Sequence, residues 1–240
     1  MKVKYINRKL HHMAEDLTKK SYIFGRQKCK KLSARQQSLV ENLLPKLLIN
    51  PDKPFNEDEL SAENQELWLE IGFGGGEHLS ATAKANSHIQ FIGCEPFLNG
   101  IAKLLVAIES ENLENIRIFD HDARKIVNWL PDESLSRIYL LYPDPWPKKR
   151  HRKRRFVTSE TLEMLARVLK PGADFIIASD IGDYIRTSLS AIEQSSDFVW
   201  SPQSKADWRT PPKGWPSTRY EQKAFREGRY PTYLKVKRAS

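Results

Sequence analysis

The feature that most constrains this chain is a repeated unit, a short apolar run that ends in an acid or a turn residue and is followed by a stretch with helical spacing. The runs are "QELWLEIGFGGG", "HIQFIGCEP", "NIRIFDHDA", "SRIYLLYPDP" and "ADFIIASD", each short enough for a strand and bounded by turn residues. Between them lie "EHLSATAKAN", "FLNGIAKLLVAIESENL", "ARKIVNWL" and "SETLEMLARVLKPG", the last closed by Pro171 and Gly172. Strand alternating with helix predicts a parallel sheet with helices on both faces, a fold that binds ligands at the carboxyl ends of its strands. Upstream, "SARQQSLVENLLPKLLI" has helical spacing from Ser33 with a break at Pro45. After Asp180 the pattern changes to a helix ("IGDYIRTSLSAIEQS"), a short strand ("DFVW") and a closing strand ("PTYLKVKR"). The intervening "SPQSKADWRTPPKGWPSTRYEQKAFREG" reads as an ordered loop over the strand ends, because loops of this length are functional or disordered and its tryptophans argue against disorder.

A chain of 240 residues, 40% hydrophobic and 29% charged, supports one large core. Residues 33–240 read as a single domain, and residues 1–32 as a basic arm in which ten Lys and Arg face only Glu15 and Asp16; a solvated tail is the plain alternative. The net charge of +9 and the pI near 9.4 ask for an anionic partner, most commonly nucleic acid. Cys29 and Cys94 stand far apart in no metal-ligand spacing, so neither a disulfide framework nor a metal site is expected. A reduced, cytoplasmic setting follows. His11 and His12 lack a second ligand pair, and His78, His88 and His121 suggest no nucleophile partner. No apolar run approaches the length needed to span a bilayer, and no surplus apolar stretch asks for a partner subunit, so a monomer is expected. Trp68 and Trp129 read as core; Trp208 and Trp215 contact RNA or pin their loop.

The segment "EIGFGGGEH" places Glu70 at a strand end and glycines at 72, 74 and 76. Glycine is required where the backbone turns sharply or a ligand must approach it closely. A dinucleotide fingerprint would want a third glycine at position 77, which is Glu77. The spacing suits S-adenosylmethionine, which is cationic and has no pyrophosphate to cradle; a plain strand-to-helix turn is the alternative. Glu95 ends the second run, where a carboxylate can accept both bonds of a ribose diol. Asp122 follows the third and can accept from an adenine amino group, although a helix cap explains it equally.

After the fourth run, Pro143 and Pro145 bracket Asp144 and fix a stiff turn that presents one carboxylate at the cleft. Trp146 offers a stacking face. Lys148, Lys149, Arg150, His151, Arg152, Lys153, Arg154 and Arg155 follow directly. A basic run is ordinarily a solvated face; on the ligand-binding edge of a sheet it reads as a phosphate-binding surface that delivers nucleic acid to the pocket.

Taken in order, "LEIGFGGGEHL", "FIGCEPF", "DHDA", "YPDPWPKKRHRKRRF", "ASDIGDY" and "TRYEQKAFREGRYPTYL" resemble the motifs of the bacterial tRNA guanine-N7 methyltransferases over roughly residues 30 to 238. The resemblance implies an α/β, Rossmann-like class I methyltransferase fold: a mostly parallel sheet with an antiparallel last strand and helices on both faces. It implies S-adenosylmethionine as donor, S-adenosylhomocysteine as product, and a guanine of the tRNA variable loop as acceptor. By motif position, Glu70, Gly72, Gly74, Gly76, Glu95, Asp122 and Asp144 look like cofactor contacts, with Asp144 also the catalytic residue. Lys148, Asp180, Thr218, Arg219, Tyr220 and Glu221 look like substrate contacts, and Arg150, His151, Arg152, Lys153, Arg154 and Arg155 like an RNA-binding strip. Asp180 alternatively caps the helix after it. Thr218 and Glu221 also fit a T-x-x-E capping box, but no strong apolar helix follows them. Two competing readings remain: a methyltransferase acting on an exocyclic amine, and a catalytically silent RNA-binding module, which leaves the glycine turn and the ordered acids without a purpose.

Overall fold

The computed structural model describes residues 30–55 and 66–240. Most of the basic arm, with Cys29, His11 and His12, lies outside the described residues. Lys30 is tied down: its N–H donates to Asn99 Oδ1 (2.8 Å) and its carbonyl accepts from Asn99 Nδ2 (2.9 Å).

Among the described residues seven strands form one sheet: β1 Leu67–Ile71, β2 Gln90–Cys94, β3 Ile116–Phe119, β4 Leu135–Leu141, β5 Leu169–Ser179, β6 Phe198–Val199 and β7 Thr232–Arg238. Their order is β3-β2-β1-β4-β5-β7-β6, and β7 alone runs antiparallel to its neighbours. The helices are α1 Ala34–Asn42, α2 Leu44–Leu47, α3 Glu77–Ala85, α4 Leu98–Glu111, α5 Ala123–Trp129, α6 Ser159–Val168, α7 Gly182–Glu193, α8 Ala206–Arg209 and α9 Arg219–Arg226. Among the described residues, none of these is long and apolar enough to cross a membrane.

The strands are apolar on both faces because both are covered. Leu67, Leu69 and Ile71 face a core with Ile92, Ile138, Leu140 and the apolar sides of α5, α6 and α7. Trp68 points the other way, to Phe91, Tyr139 and the residues of α1, α3 and α4. Alternation along one strand thus builds two cores. The parallel register levels the strand ends, since Ile71 pairs with both Cys94 and Leu140, Cys94 with Phe119, and Leu141 with Ala178. Whatever follows β1, β2, β3, β4 and β5 therefore emerges at one edge. The sheet reverses its order at β1, flanked by β2 and β4, which is the switch point where such sheets open a crevice.

Two boundaries differ from the sequence reading. Helix α6 ends at Val168, ahead of Pro171 and Gly172, and β5 begins at once; pairing with β4 jumps from Leu135 with Leu169 to Arg137 with Asp174. The extra residues of Lys170–Ala173 are absorbed as a bulge in which Gly172 takes φ +74°. The second difference is the late segment expected as a loop, which contains α8 and α9. Helix α9 buries only Glu221 and Ala224, and most of its other residues are charged or polar, so it offers no apolar run to mark it.

Close approach of the backbone fixes the strand-end region. A Cβ on Gly100, in α4, would lie 2.1 Å from the carbonyl oxygen of Gly74; only a bare Cα lets α4 touch the turn after β1. Gly100→Ala is expected to lower stability by about 1–3 kcal/mol through overpacking, read from the thermal midpoint. An unchanged midpoint would show that α4 shifts freely and that the contact does not set the turn.

Candidate active site

The turn after β1 is built on positive φ angles at Gly72 (+71°), Gly74 (+59°) and Gly76 (+79°), a region that side chains rarely enter. Gly76 closes the turn as the N-cap of α3. A Cβ at Gly72 would meet nothing within 4 Å, whereas one at Gly74 would lie 3.3 Å from the Tyr220 ring. The turn is therefore open beside Gly72 and roofed at Gly74 by the first residues of α9. Arg219 reinforces the roof: its Nε lies 3.6 Å from Glu77 Oε1 and its guanidinium stacks on Tyr220.

Glu95 holds this turn from the next strand. Its Oε2 accepts from the Gly74 N–H (2.8 Å) and its Oε1 from the Phe97 N–H (2.9 Å), leaving lone pairs on both oxygens for a diol. Burial pushes the Glu95 carboxyl above its ordinary value; the two backbone donors and Arg219 oppose that rise, and the nearby Asp144 charge adds to it. Glu70 is turned inward. It is 2% exposed and its Oε2 sits 2.7 Å from Nδ1 of His78, also 2% exposed. Glu70 thus anchors α3 across the glycine turn, and His78, to which the sequence assigned no partner, is the other half of a buried pair. Asp122 fills the cap role: it accepts from the Arg124 N–H (3.0 Å) and pairs with the Arg124 guanidinium (3.2 Å).

The corner after β4 is strained on both sides of Asp144. Tyr142 and Trp146 have φ of +49° and +42°, conformations that cost about 1–3 kcal/mol each and persist only when surroundings enforce them. The Tyr142 N–H donates to Ala178 O (2.7 Å), and its ring stacks with Tyr220 at 6.4 Å. Asp144 itself is exposed, and among the described residues no hydrogen bond or ion pair engages its carboxylate. The corner is rigid and its acid is presented outward.

The basic run splits. Lys148, Lys149, Arg150 and Lys153 are exposed on a 3-10 turn spanning Lys149–Arg154. His151 packs edge-on against Trp146 (5.8 Å), and Arg154 lies over the Trp146 ring (4.9 Å). Two members depart from the expected phosphate strip. Arg152 pairs with Asp183 (2.9 Å), and Arg155 is 3% exposed with its guanidinium spent inside the protein.

The substrate motif on α9 is likewise divided. Thr218 is the N-cap, accepting from the Glu221 N–H (3.2 Å), so the capping reading holds for Thr218 and a helix does follow it. Glu221 does not complete the box. It is 3% exposed, and its Oε1 accepts from Tyr142 Oη (3.1 Å) and from Tyr233 Oη. Burial next to that carboxylate raises both tyrosine hydroxyls well above the ordinary range. Asp180 does not cap α7, whose N-cap is Ile181; it binds Arg229 Nε at 2.6 Å. Arg219 and Tyr220 face the glycine turn. Tyr142, Tyr233, Arg229 and Gly100 were missed by sequence reasoning, since each acts through a contact with a distant strand or helix; the glycine three residues into "FLNG" was the one available signal. Among the described residues no group of His, Cys, Asp and Glu is arranged to hold a metal.

Glycine turn, strand-end acid on β2, free acid after β4 and a seven-stranded sheet with one reversed strand together define a class I S-adenosylmethionine-dependent methyltransferase. Solved structures agree on the fold: the chain is similar to the 16S rRNA methyltransferase KamB (TM-score 0.51, 16% identity, covering 78% of this chain and 95% of that one) and to a precorrin-6y C5,15-methyltransferase of Geobacter metallireducens (TM-score 0.50, 14% identity, 88% and 92%). A family model described as "Putative methyltransferase" matches residues 64–233. The tRNA (guanine-N(7)-)-methyltransferases of Chelativorans sp. and Rhizobium meliloti are each 50% identical to it, over 88% and 90% of this chain and 92% and 94% of theirs. The chain belongs to the tRNA (guanine-N7)-methyltransferase family.

The donor set fits the cofactor: a turn open beside Gly72, a β2 carboxylate with spare lone pairs, and anionic groups suited to a cation. If the Glu95 carboxylate accepts the ribose hydroxyls, its raised carboxyl means that cofactor affinity weakens as pH falls through the range just above that of an ordinary glutamate. Glu95→Gln is expected to bind weakly with a flat profile. Calorimetric titration of S-adenosylhomocysteine across pH 5 to 8 reads this, and equal affinity at all pH values in the parent protein would remove Glu95 from the site.

Proposed function

We propose that this protein transfers a methyl group from S-adenosylmethionine to N7 of a guanine in tRNA, guanine 46 of the variable loop, and that it acts as a monomer. The observation that carries the reading is the unengaged Asp144 carboxylate, held near Glu95 on a strained corner that leads directly into the exposed cations Lys148, Lys149, Arg150 and Lys153.

When bound, S-adenosylmethionine supplies a methyl group on a cationic sulfur that leaves as a neutral thioether. Guanine N7 carries a free lone pair in the ring plane, so no proton need leave before the N–C bond forms; alignment and charge dominate. Asp144 then has two tasks open to it: accepting from guanine N1–H and the N2 amino group, which orients the base, and stabilising the positive charge that the ring acquires. Glu95 and the turn at Gly72 and Gly74 fix the cofactor end. In this reading the exposed Lys148, Lys149, Arg150 and Lys153 contact phosphates, which positions tRNA without reading its sequence. Tyr220, stacked on Tyr142 over the turn, supports a roof under which the base is enclosed. Among the described residues few large apolar side chains are exposed, Leu48 and Val199 on separate elements and Tyr220 and Phe225 on α9 with Tyr230 beside Phe225, and so small an apolar surface supports the monomer.

The test is to incubate the protein with methyl-labelled cofactor and unmodified tRNA transcript, digest the RNA and identify the labelled nucleoside. Label is expected in 7-methylguanosine from guanine 46 and is expected to disappear with Asp144→Ala. Asp144→Asn separates the two tasks, keeping hydrogen bonding while losing charge; near-normal turnover at saturating substrates would rule out a charge role. Label in an N-methylated exocyclic amine would replace the N7 assignment.

A further inference from the structure

The basic run hides one cation that faces the wrong way for RNA. Arg155 is 3% exposed, the only buried member of residues 148–155. Its Nε donates to Pro145 O (2.9 Å), one Nη to both Asp183 O (3.2 Å) and Thr187 Oγ1 (2.7 Å), and the other to Asp183 Oδ2 (2.5 Å). Four of the five N–H donors of a guanidinium are thereby used, and its plane lies over the Tyr184 ring at 5.5 Å. None of this leaves a face for phosphate.

The partners tell what the contact does. Pro145 follows Asp144 directly, and a proline carbonyl in that corner has no helix or ladder partner of its own. Asp183 and Thr187 are both on α7, the helix that starts just after β5. Asp183 also gathers Arg152 (2.9 Å) and Arg186 (3.4 Å), and it sits in the first turn of α7, where a negative charge is favoured by the helix dipole. The guanidinium fork joins the corner after β4 to the helix after β5, across two adjacent strand ends. The two left-handed residues, Tyr142 and Trp146, need such an external hold to stay where they are.

We propose that Arg155, with Asp183, is a positioning residue for methyl transfer: it holds the Pro145 carbonyl, and so the Asp144 carboxylate, in register with the cofactor turn, and it does not contact tRNA. The inference rests on Asp144 acting at the reacting base, as argued above. Lysine cannot replace it, because a single point charge cannot span a carbonyl, a hydroxyl and a carboxylate in one plane. A phosphate contact, by contrast, tolerates lysine.

That difference is the experiment. Arg155→Lys is compared with Lys149→Ala and Lys153→Ala in steady-state kinetics, in tRNA binding against salt, and in amide exchange at Asp144, Trp146 and Lys148. For Arg155→Lys, kcat is expected to fall about tenfold or more from misplacement of the acid, with tRNA affinity and its salt slope unchanged and exchange at the corner accelerated. The two surface lysine variants are expected to raise KM for tRNA and to shorten the salt slope by about 0.7–0.9 each, without accelerating exchange at the corner. Asp183→Asn, which removes the other end of the clamp, is a second route should Arg155→Lys fold poorly, and it is expected to lower kcat in the same way. Wild-type turnover and unaltered corner exchange in Arg155→Lys and Asp183→Asn would overturn the proposal, and so would a shortened salt slope with intact kcat. Failure of the parent protein to form 7-methylguanosine would sink the functional reading instead, while the exchange data would still decide whether Arg155 holds the corner.

Discussion

Everything at the strand ends depends on the carboxylate of Glu95 accepting the N–H of Gly74. That bond ties the turn after β1 to the end of β2, and the missing side chain on Gly100 lets α4 close on the same turn from below. With the turn fixed, Gly72 faces open space and Tyr220 can rest on Gly74. The cost is electrostatic, since a carboxylate is kept in a desolvated place where its proton is harder to lose. The same group fastens the backbone and still has room for a ligand hydroxyl, because a carboxylate has about four acceptor sites and the backbone uses two.

Much of the fold was legible. Five apolar runs separated by helical stretches left few topologies to choose from, and glycines at 72, 74 and 76 announced a turn with unusual φ angles, as found. What escaped was what depends on distant contacts. The eight consecutive residues from Lys148 to Arg155 look alike as charges, yet Arg155 is buried because Asp183, Thr187 and Pro145 O converge on it. No local pattern distinguishes it. Helix α9 was missed for the opposite reason: it is held by a cap at Thr218 and by Glu221 bonded to two tyrosines, rather than by an apolar stripe.

The candidate site shows the same division. Strand-end acids could be read as a set, but not the direction each one faces. Glu70 turns inward to His78, Asp122 is shared with Arg124, Asp180 is taken by Arg229, and Asp144 alone stays exposed and unpaired among them. Their environments are what assign different tasks to four chemically similar side chains.

The place of β7 carries a consequence for how the molecule is made. This strand is synthesised after all the others, yet it lies between β5 and β6. Until it emerges, β5 presents an open edge of six residues whose partners are not yet available, the kind of edge that invites pairing with another chain. Inserting β7 closes that edge and, through Tyr233, brings in the hydroxyl that holds Glu221. During translation the bond that steadies α9 over the glycine turn is therefore among the last to form, so a nascent chain gains its protection from misassociation and this contact in the same step.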